Sequence, residues 1–298
     1  MAITVQPVNS EFVAEIGDVD LSRPLAAEDW DAIYQAFARY SVLVFCDQSL
    51  DEDQHLAFAK RFGPIETSIA VHHTDTKMRI RPDLVDISNL DADGKIWGKD
   101  SRIRMHELGN RLWHTDSSFK RIPARASLLY ARSIPPVGGR TEFADARAAY
   151  DALSDEMKAR IDGLVAEHSI FNSRARIGFT DFLEEERRNL PPVPQTLVRV
   201  HPDSGRKSIY VASHAGRILG MPEAEGRALV DELLEHVAKR QFVYSHRWRV
   251  GDLVMWDNRC VLHRATEYDD LRYPRDMLRA TVSDEINSCE RAGVAVPA

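Results

Sequence analysis

Cysteine is scarce in this 298-residue chain: Cys46, Cys260 and Cys289 are too few and too scattered for a disulfide framework. They read most simply as buried small apolar residues of a reduced, cytosolic protein. Long hydrophobic runs are also missing. None approaches the ~20 residues that a membrane span needs, and the longest, such as residues 41–46, have the length of a buried strand. The opening MAITVQPVNSEF has neither the basic nor the apolar region of a secretory signal. A basic surplus is absent as well. Thirty-nine Lys and Arg against 46 Asp and Glu leave a net charge of −7, which argues against nucleic acid as a partner. There is no repeat, low-complexity tract or Gly/Ser linker, so residues 1–298 read as a single domain. A chain of this length buries a sizeable core and needs no disulfide or metal merely to hold its fold.

What is present is a succession of short strands with helices between them. Trp30, Ile33, Tyr34 and Phe37 recur at helical spacing and predict a helix over 27–39. Residues 41–46 follow as a buried strand, and Leu56, Ala59 and Phe62 mark a second helix over 51–62. Strands are expected at 84–89, 127–133 and 141–144, the last after a turn forced by Pro135, Pro136, Gly138 and Gly139. Helices over 146–152 and 154–166 come next. Strands at 197–201 and 208–213 flank Pro202-Asp203-Ser204-Gly205, a hairpin signal. A helix over 222–239, with Pro222 at its first position, carries one apolar stripe through Leu229, Val230, Leu233, Leu234 and Val237. Strands at 242–248, 252–256 and 277–283 close the chain. This is not the alternation of a doubly wound sheet. It predicts an α+β, β-rich fold, a jelly roll with covering helices, and the polar, weakly periodic stretch 64–112 reads as a lid-like insertion.

Three features carry chemistry. In Trp113-His114-Thr115-Asp116 an extended backbone would turn His114 and Asp116 to one face, where an imidazole and a carboxylate can share an ion. Far downstream, an apolar strand runs into Asp257-Asn258-Arg259, and His263 returns on the next apolar stretch. Two histidines and a carboxylate with open positions form the facial triad of non-haem Fe(II) oxygenases, although the same donors also suit a zinc hydrolase. Arg275 and Arg279, four apart around Met277 and Leu278, need anionic partners if that stretch is buried. The partners are either internal carboxylates or bound carboxylates that match the guanidinium fork.

His114-Thr115-Asp116, the Pro-Pro-Val-Gly-Gly-Arg-Thr turn ending at Thr141, Trp256-Asp257-Asn258-Arg259 through His263, and Arg275 with Arg279 occur in that order. The pattern resembles the taurine/2,4-dichlorophenoxyacetate dioxygenase family of Fe(II)- and 2-oxoglutarate-dependent oxygenases. The resemblance extends over Phe58-Ala59-Lys60-Arg61-Phe62-Gly63-Pro64 and on to about residue 284. The segments 112–119, 143–153 and 252–264 look most like the aryloxyalkanoate branch.

The resemblance implies a double-stranded β-helix, which agrees with the strand pattern. It implies His114, Asp116 and His263 as Fe(II) ligands, with Arg275 and Thr141 on the distal carboxylate of 2-oxoglutarate. Arg279, His201, His214 and Lys95 would be substrate contacts, although each histidine can equally serve as a hydrogen-bonded structural residue and Lys95 as a solvated turn residue. Branch members often carry a lysine in the lid, where this chain has His72, His73 and Lys77. The implied reaction couples 2-oxoglutarate and O2 to hydroxylation of an aryloxyalkanoate beside its ether oxygen. Succinate and CO2 form, and the hemiacetal collapses to a phenol and glyoxylate. A sulfonate such as taurine, or another small carboxylate, is the alternative substrate. The expected partners are thus a small anionic molecule and O2, with no nucleic acid and no membrane. A homo-oligomer is compatible with the sequence but not specified by it.

Overall fold

The computed structural model describes residues 3–9, 12–67 and 79–296. Its main sheet has seven strands in the order Thr4–Asn9, Val13–Gly17, Val42–Phe45, Leu253–Asp257, Ala124–Ser133, Asp276–Ser283 and Val85–Asp86. Neighbours run antiparallel except Val13–Gly17 beside Val42–Phe45. A second sheet holds Thr141–Asp145 between Val243–His246 and Val261–Ala265. A third has Val165–His168 between Ala215–Ile218 and Val193–Thr196. Val198–Val200 and Lys207–Ile209 pair as the expected hairpin.

Alternation along the central strands divides the core in two, because successive side chains point to opposite faces. Leu43, Phe45, Leu128, Tyr130, Leu253, Met255, Leu278 and Ala280 pack outward with Ile33, Phe37, Leu56 and Phe62, whose residues lie on or beside the helices Ala27–Tyr40 and Glu52–Lys60. Val42, Val44, Leu129, Val254, Trp256 and Met277 point the other way and meet Phe143 and Val261 of the second sheet. This inner layer is the interior of the jelly roll. Arg279 and Thr281 share the parity of Met277, so they too are aimed inward, and that places two polar side chains at one end of an apolar interior. A separate cluster under the helix Glu223–Val237, through Leu229, Val230 and Leu233, fixes the third sheet against the rest.

Most expected elements recur with small shifts. The strand expected at 84–89 is only Val85–Asp86, and the helix expected over 154–166 stops at Ile161 before the strand Val165–His168. Leu164 and Val165 continue the apolar pattern past Gly163, whose φ of +70° ends the helix. The expected lid stretch contains, within its described part, a helix Arg102–Glu107 and a 3₁₀ turn Leu108–Arg111. His72, His73 and Lys77 lie outside the described residues.

Candidate active site

His114 is locked to His263 by a reciprocal backbone bridge: each amide donates to the other's carbonyl, at 3.0 and 2.7 Å. The two rings are tilted by 46° with centroids 4.2 Å apart. Asp116, two residues on, returns to the same face, and Ser117 at φ 53° turns the chain away immediately afterwards. One imidazole nitrogen from each histidine and a carboxylate oxygen of Asp116 lie within 4.8 Å of one another. The intervening Thr115 points away and donates from Oγ1 to the Asn258 carbonyl at 2.7 Å.

The protonation states suit a metal. Burial pushes both imidazoles below their ordinary value, at His263 well below it, so both are neutral. The Leu112 carbonyl, 2.7 Å from His114 Nδ1, can only accept, so Nδ1 carries the hydrogen and Nε2 keeps its lone pair. Burial alone would raise the Asp116 carboxyl, but the Arg279 guanidinium, with the Ser127 hydrogen bond, opposes it and the carboxyl stays below its ordinary value. Asp116 is therefore ionised at neutral pH. Two neutral imidazoles and one carboxylate in a buried cluster are the donor set that Fe(II) oxygenases use.

Asn258 anchors this loop, a role the sequence pattern did not single out. Its Oδ1 accepts from the Asp116 amide and from Trp256 Nε1, both at 3.0 Å, and its Nδ2 donates to Ser127 Oγ at 2.9 Å. Ser127 in turn donates to Asp116 Oδ2 at 2.7 Å. Arg279 Nη1 donates to the other oxygen, Oδ1, at 2.6 Å. Arg279, expected on a substrate anion, thus places Nη1 on the Asp116 carboxylate, while its Nε has no partner among the described residues.

Arg275 is buried with no acidic partner among the described residues: Nε donates to the Gly139 carbonyl at 3.3 Å, and burial lowers the guanidinium to about 10. Gly139 precedes Thr141 by two residues. Thr141 is also buried, and its Oγ1 accepts from Trp248 Nε1 at 3.0 Å.

A cavity opens beside the triad, with His114, Asp116 and Arg279 in its wall. Leu84, Ile87, Trp97, Ile103, Phe119 and Ile170 give it an apolar side. His214 also lines it, its ring centroid 4.9 Å from Phe119 and 5.9 Å from His114, and burial holds its imidazole neutral. Two expected contacts lie elsewhere. His201 is buried with Nε2 2.9 Å from Asp257 Oδ2 and Nδ1 3.0 Å from Ser204 Oγ. Arg259 grips the same Asp257, so this is an internal ion-pair cluster that does not line the cavity. Lys95 is exposed in the turn Asp91–Lys95, whose ends exchange a 2.7 Å backbone bond, and it too is outside the lining. The structure brings neither to the cavity beside His114 and Asp116. A His at a strand end reads alike whether it faces a cavity or a carboxylate.

A sequence profile of the taurine catabolism dioxygenase TauD, TfdA family matches residues 4–281. The chain is 46% identical over 286 residues to the alpha-ketoglutarate-dependent 2,4-dichlorophenoxyacetate dioxygenase of Cupriavidus pinatubonensis, covering 96% of this chain and 99% of that protein. It is 37% identical to the (S)-phenoxypropionate/alpha-ketoglutarate-dioxygenase of Sphingobium herbicidovorans, covering 90% and 91% of the two chains. Among solved structures, AAD-2 in complex with Mn(II) and N-oxalylglycine superposes with a TM-score of 0.88 at 47% identity, over 97% of this chain and 99% of that one.

Proposed function

The chain belongs to the TauD, TfdA dioxygenase family, and from that premise we propose that it is an Fe(II)- and 2-oxoglutarate-dependent dioxygenase that hydroxylates an aryloxyalkanoate beside its ether oxygen. The observation that carries this reading is the cluster of His114, Asp116 and His263 beside a cavity whose lining includes Leu84, Ile87, Trp97, Ile103, Phe119 and Ile170. His114, Asp116 and His263 would hold the iron. Bound iron, with 2-oxoglutarate and O2, supplies the oxidising power for the hydroxylation.

The remaining work belongs to the chain. Arg275, buried without a carboxylate, and Thr141 beside its Gly139 contact take the distal carboxylate of 2-oxoglutarate. Arg279 and Ser127 fix both oxygens of Asp116, and Asn258 fixes its backbone, so the ligand is oriented before anything binds. Phe119, Trp97 and Ile103 provide a water-excluding wall for an aromatic ring. His214 stays neutral and can hydrogen-bond an ether or carboxylate oxygen. Hydroxylation beside the ether oxygen gives a hemiacetal, which collapses to a phenol and glyoxylate.

None of the three cysteines is in a disulfide, in keeping with a cytosolic setting. No helix among the described residues is long and apolar enough to cross a membrane. The test is a product analysis with 2,4-dichlorophenoxyacetate and taurine supplied separately. The expected result is phenol and glyoxylate with equimolar succinate from the first and no sulfite from the second. Sulfite without phenol would move the substrate to the sulfonates, and turnover without 2-oxoglutarate would overturn the reaction class.

A further inference from the structure

Five arginines are buried: Arg147, Arg174, Arg199, Arg259 and Arg275. Arg147 pairs with Asp145, Arg199 with Asp284 and Arg259 with Asp257. Arg174 and Arg275 have no ion pair among the described residues. An unpaired buried cation is costly, so a chain that keeps two has a use for each. Arg275 lies against Gly139, where 2-oxoglutarate is proposed to bind. Arg174 lines the substrate cavity.

Resting on the function proposed above, we infer that Arg174 receives the carboxylate of the aryloxyalkanoate and so determines specificity for an acid. The helix Ile170–Ala175 presents Ile170 and Arg174, four apart, to the same cavity. Arg174 Nη1 donates to Ser173 Oγ at 3.1 Å, and Nε has no partner. The Glu107 carboxylate favours the charged form of Arg174 without a direct salt bridge, and is itself engaged, facing His106 Nδ1 at 3.1 Å and accepting from Asn110 Nδ2 at 2.6 Å. The other cationic side chains of the cavity wall each have a carboxylate partner, Arg79 in Asp86 and Asp276, Arg102 in Glu186, Lys120 in Glu66 and Arg279 in Asp116, although Arg279 Nε, like Arg174 Nε, has none.

Room for the guanidinium is built in, since a Cβ at Gly109 would lie only 2.5 Å from Arg174 Nη1. Arg174 shares the cavity wall with His114, Asp116 and His214, so the anion site lies in the same cavity as the triad. That position suits the reaction. In an aryloxyacetate the carbon to be hydroxylated is bonded directly to the carboxylate, so fixing the carboxylate fixes that carbon.

The test is anaerobic calorimetry on protein loaded with Mn(II) and 2-oxoglutarate, titrated with 2,4-dichlorophenoxyacetate and with its neutral amide. The wild type should bind the acid far more tightly than the amide. Arg174→Leu should weaken acid binding about ten- to a hundredfold, the range of one charge-assisted hydrogen bond. Amide and 2-oxoglutarate binding should change less than about threefold. Arg174→Lys should recover only part of the acid affinity, since a point charge does not reproduce the fork. Gly109→Ala, which crowds the guanidinium but keeps its charge, should lower acid binding more than amide binding and gives the same answer if Arg174→Leu does not fold. Undiminished discrimination in Arg174→Leu and Gly109→Ala would overturn the inference alone. Equal losses for acid, amide and 2-oxoglutarate with a lower Tm would make Arg174 structural. A wild type that binds neither acid nor amide would overturn the proposed function as well.

Discussion

Asp116 is asked to do several things with one carboxylate. It accepts from Ser127 and Arg279, faces two imidazoles and remains ionised in a buried setting. Much of that arrangement hangs on Asn258. Asn258→Leu removes no ligand but orphans the Asp116 amide and Trp256 Nε1. It should lower Fe(II) affinity about 10–100-fold, the usual cost of losing an outer-shell partner, as measured by metal titration of the folded variant. Arg275→Leu tests the other end of the site. It should raise the KM for 2-oxoglutarate by about ten- to a hundredfold, with a much smaller change in the KM for the aryloxyalkanoate. Equal shifts in both would make Arg275 a structural residue. The triad was legible in the sequence because His114 and Asp116 sit at i and i+2 and His263 follows a recognisable strand–turn. Asn258 was in view as part of a motif, but its task depends on partners more than 100 residues away, and no local spacing carries that. Arg174 left no sequence signal at all, because its significance lies in the cavity that the fold builds around it.

The second sheet is aimed by the Pro135–Gly139 turn, and here one glycine is constrained twice. Gly139 has φ +63°, and an added Cβ would lie 2.7 Å from Pro135 Cγ. Its carbonyl also holds Arg275. Gly139→Ala should therefore cost ~1–3 kcal/mol of stability and raise the KM for 2-oxoglutarate, read by urea denaturation and steady-state kinetics. A stable variant with unchanged KM would separate the turn from the site.

The hairpin Val198–Val200/Lys207–Ile209 is tied down differently. Burial would lower His201, but the Asp257 carboxylate outweighs it and raises the imidazole to about 9. A pKa above its unfolded value means that His201 stabilises the fold fully below about pH 6.5 and loses that contribution as pH rises toward 9. His201→Asn should be less stable than the wild type at pH 6, and the gap should close by pH 9.5. A constant gap would show that the ring contributes packing rather than charge. At this scale the sequence located most strands and helices. It missed the N-terminal strands Thr4–Asn9 and Val13–Gly17, where Pro7 and Gly17 disguise a short hairpin.

The whole molecule separates support from chemistry. Its three apolar clusters are built without the triad, which sits at the polar end of the jelly-roll interior. The jelly roll itself was legible because alternating apolar strands outnumber every other signal, whereas the cavity was not: its walls come from residues 66–120, 170–214 and 279–281, which only the fold brings together. If this separation holds, removing a ligand abolishes metal binding and leaves the fold intact. The most direct measurement is the visible absorbance that appears when Fe(II) and then 2-oxoglutarate are added anaerobically, the charge-transfer band of the chelate. The wild type should develop it. His114→Ala, Asp116→Ala and His263→Ala, each with an unchanged circular dichroism spectrum, should not. A wild type that shows no band, or a folded triad variant that shows a full one, would contradict the account.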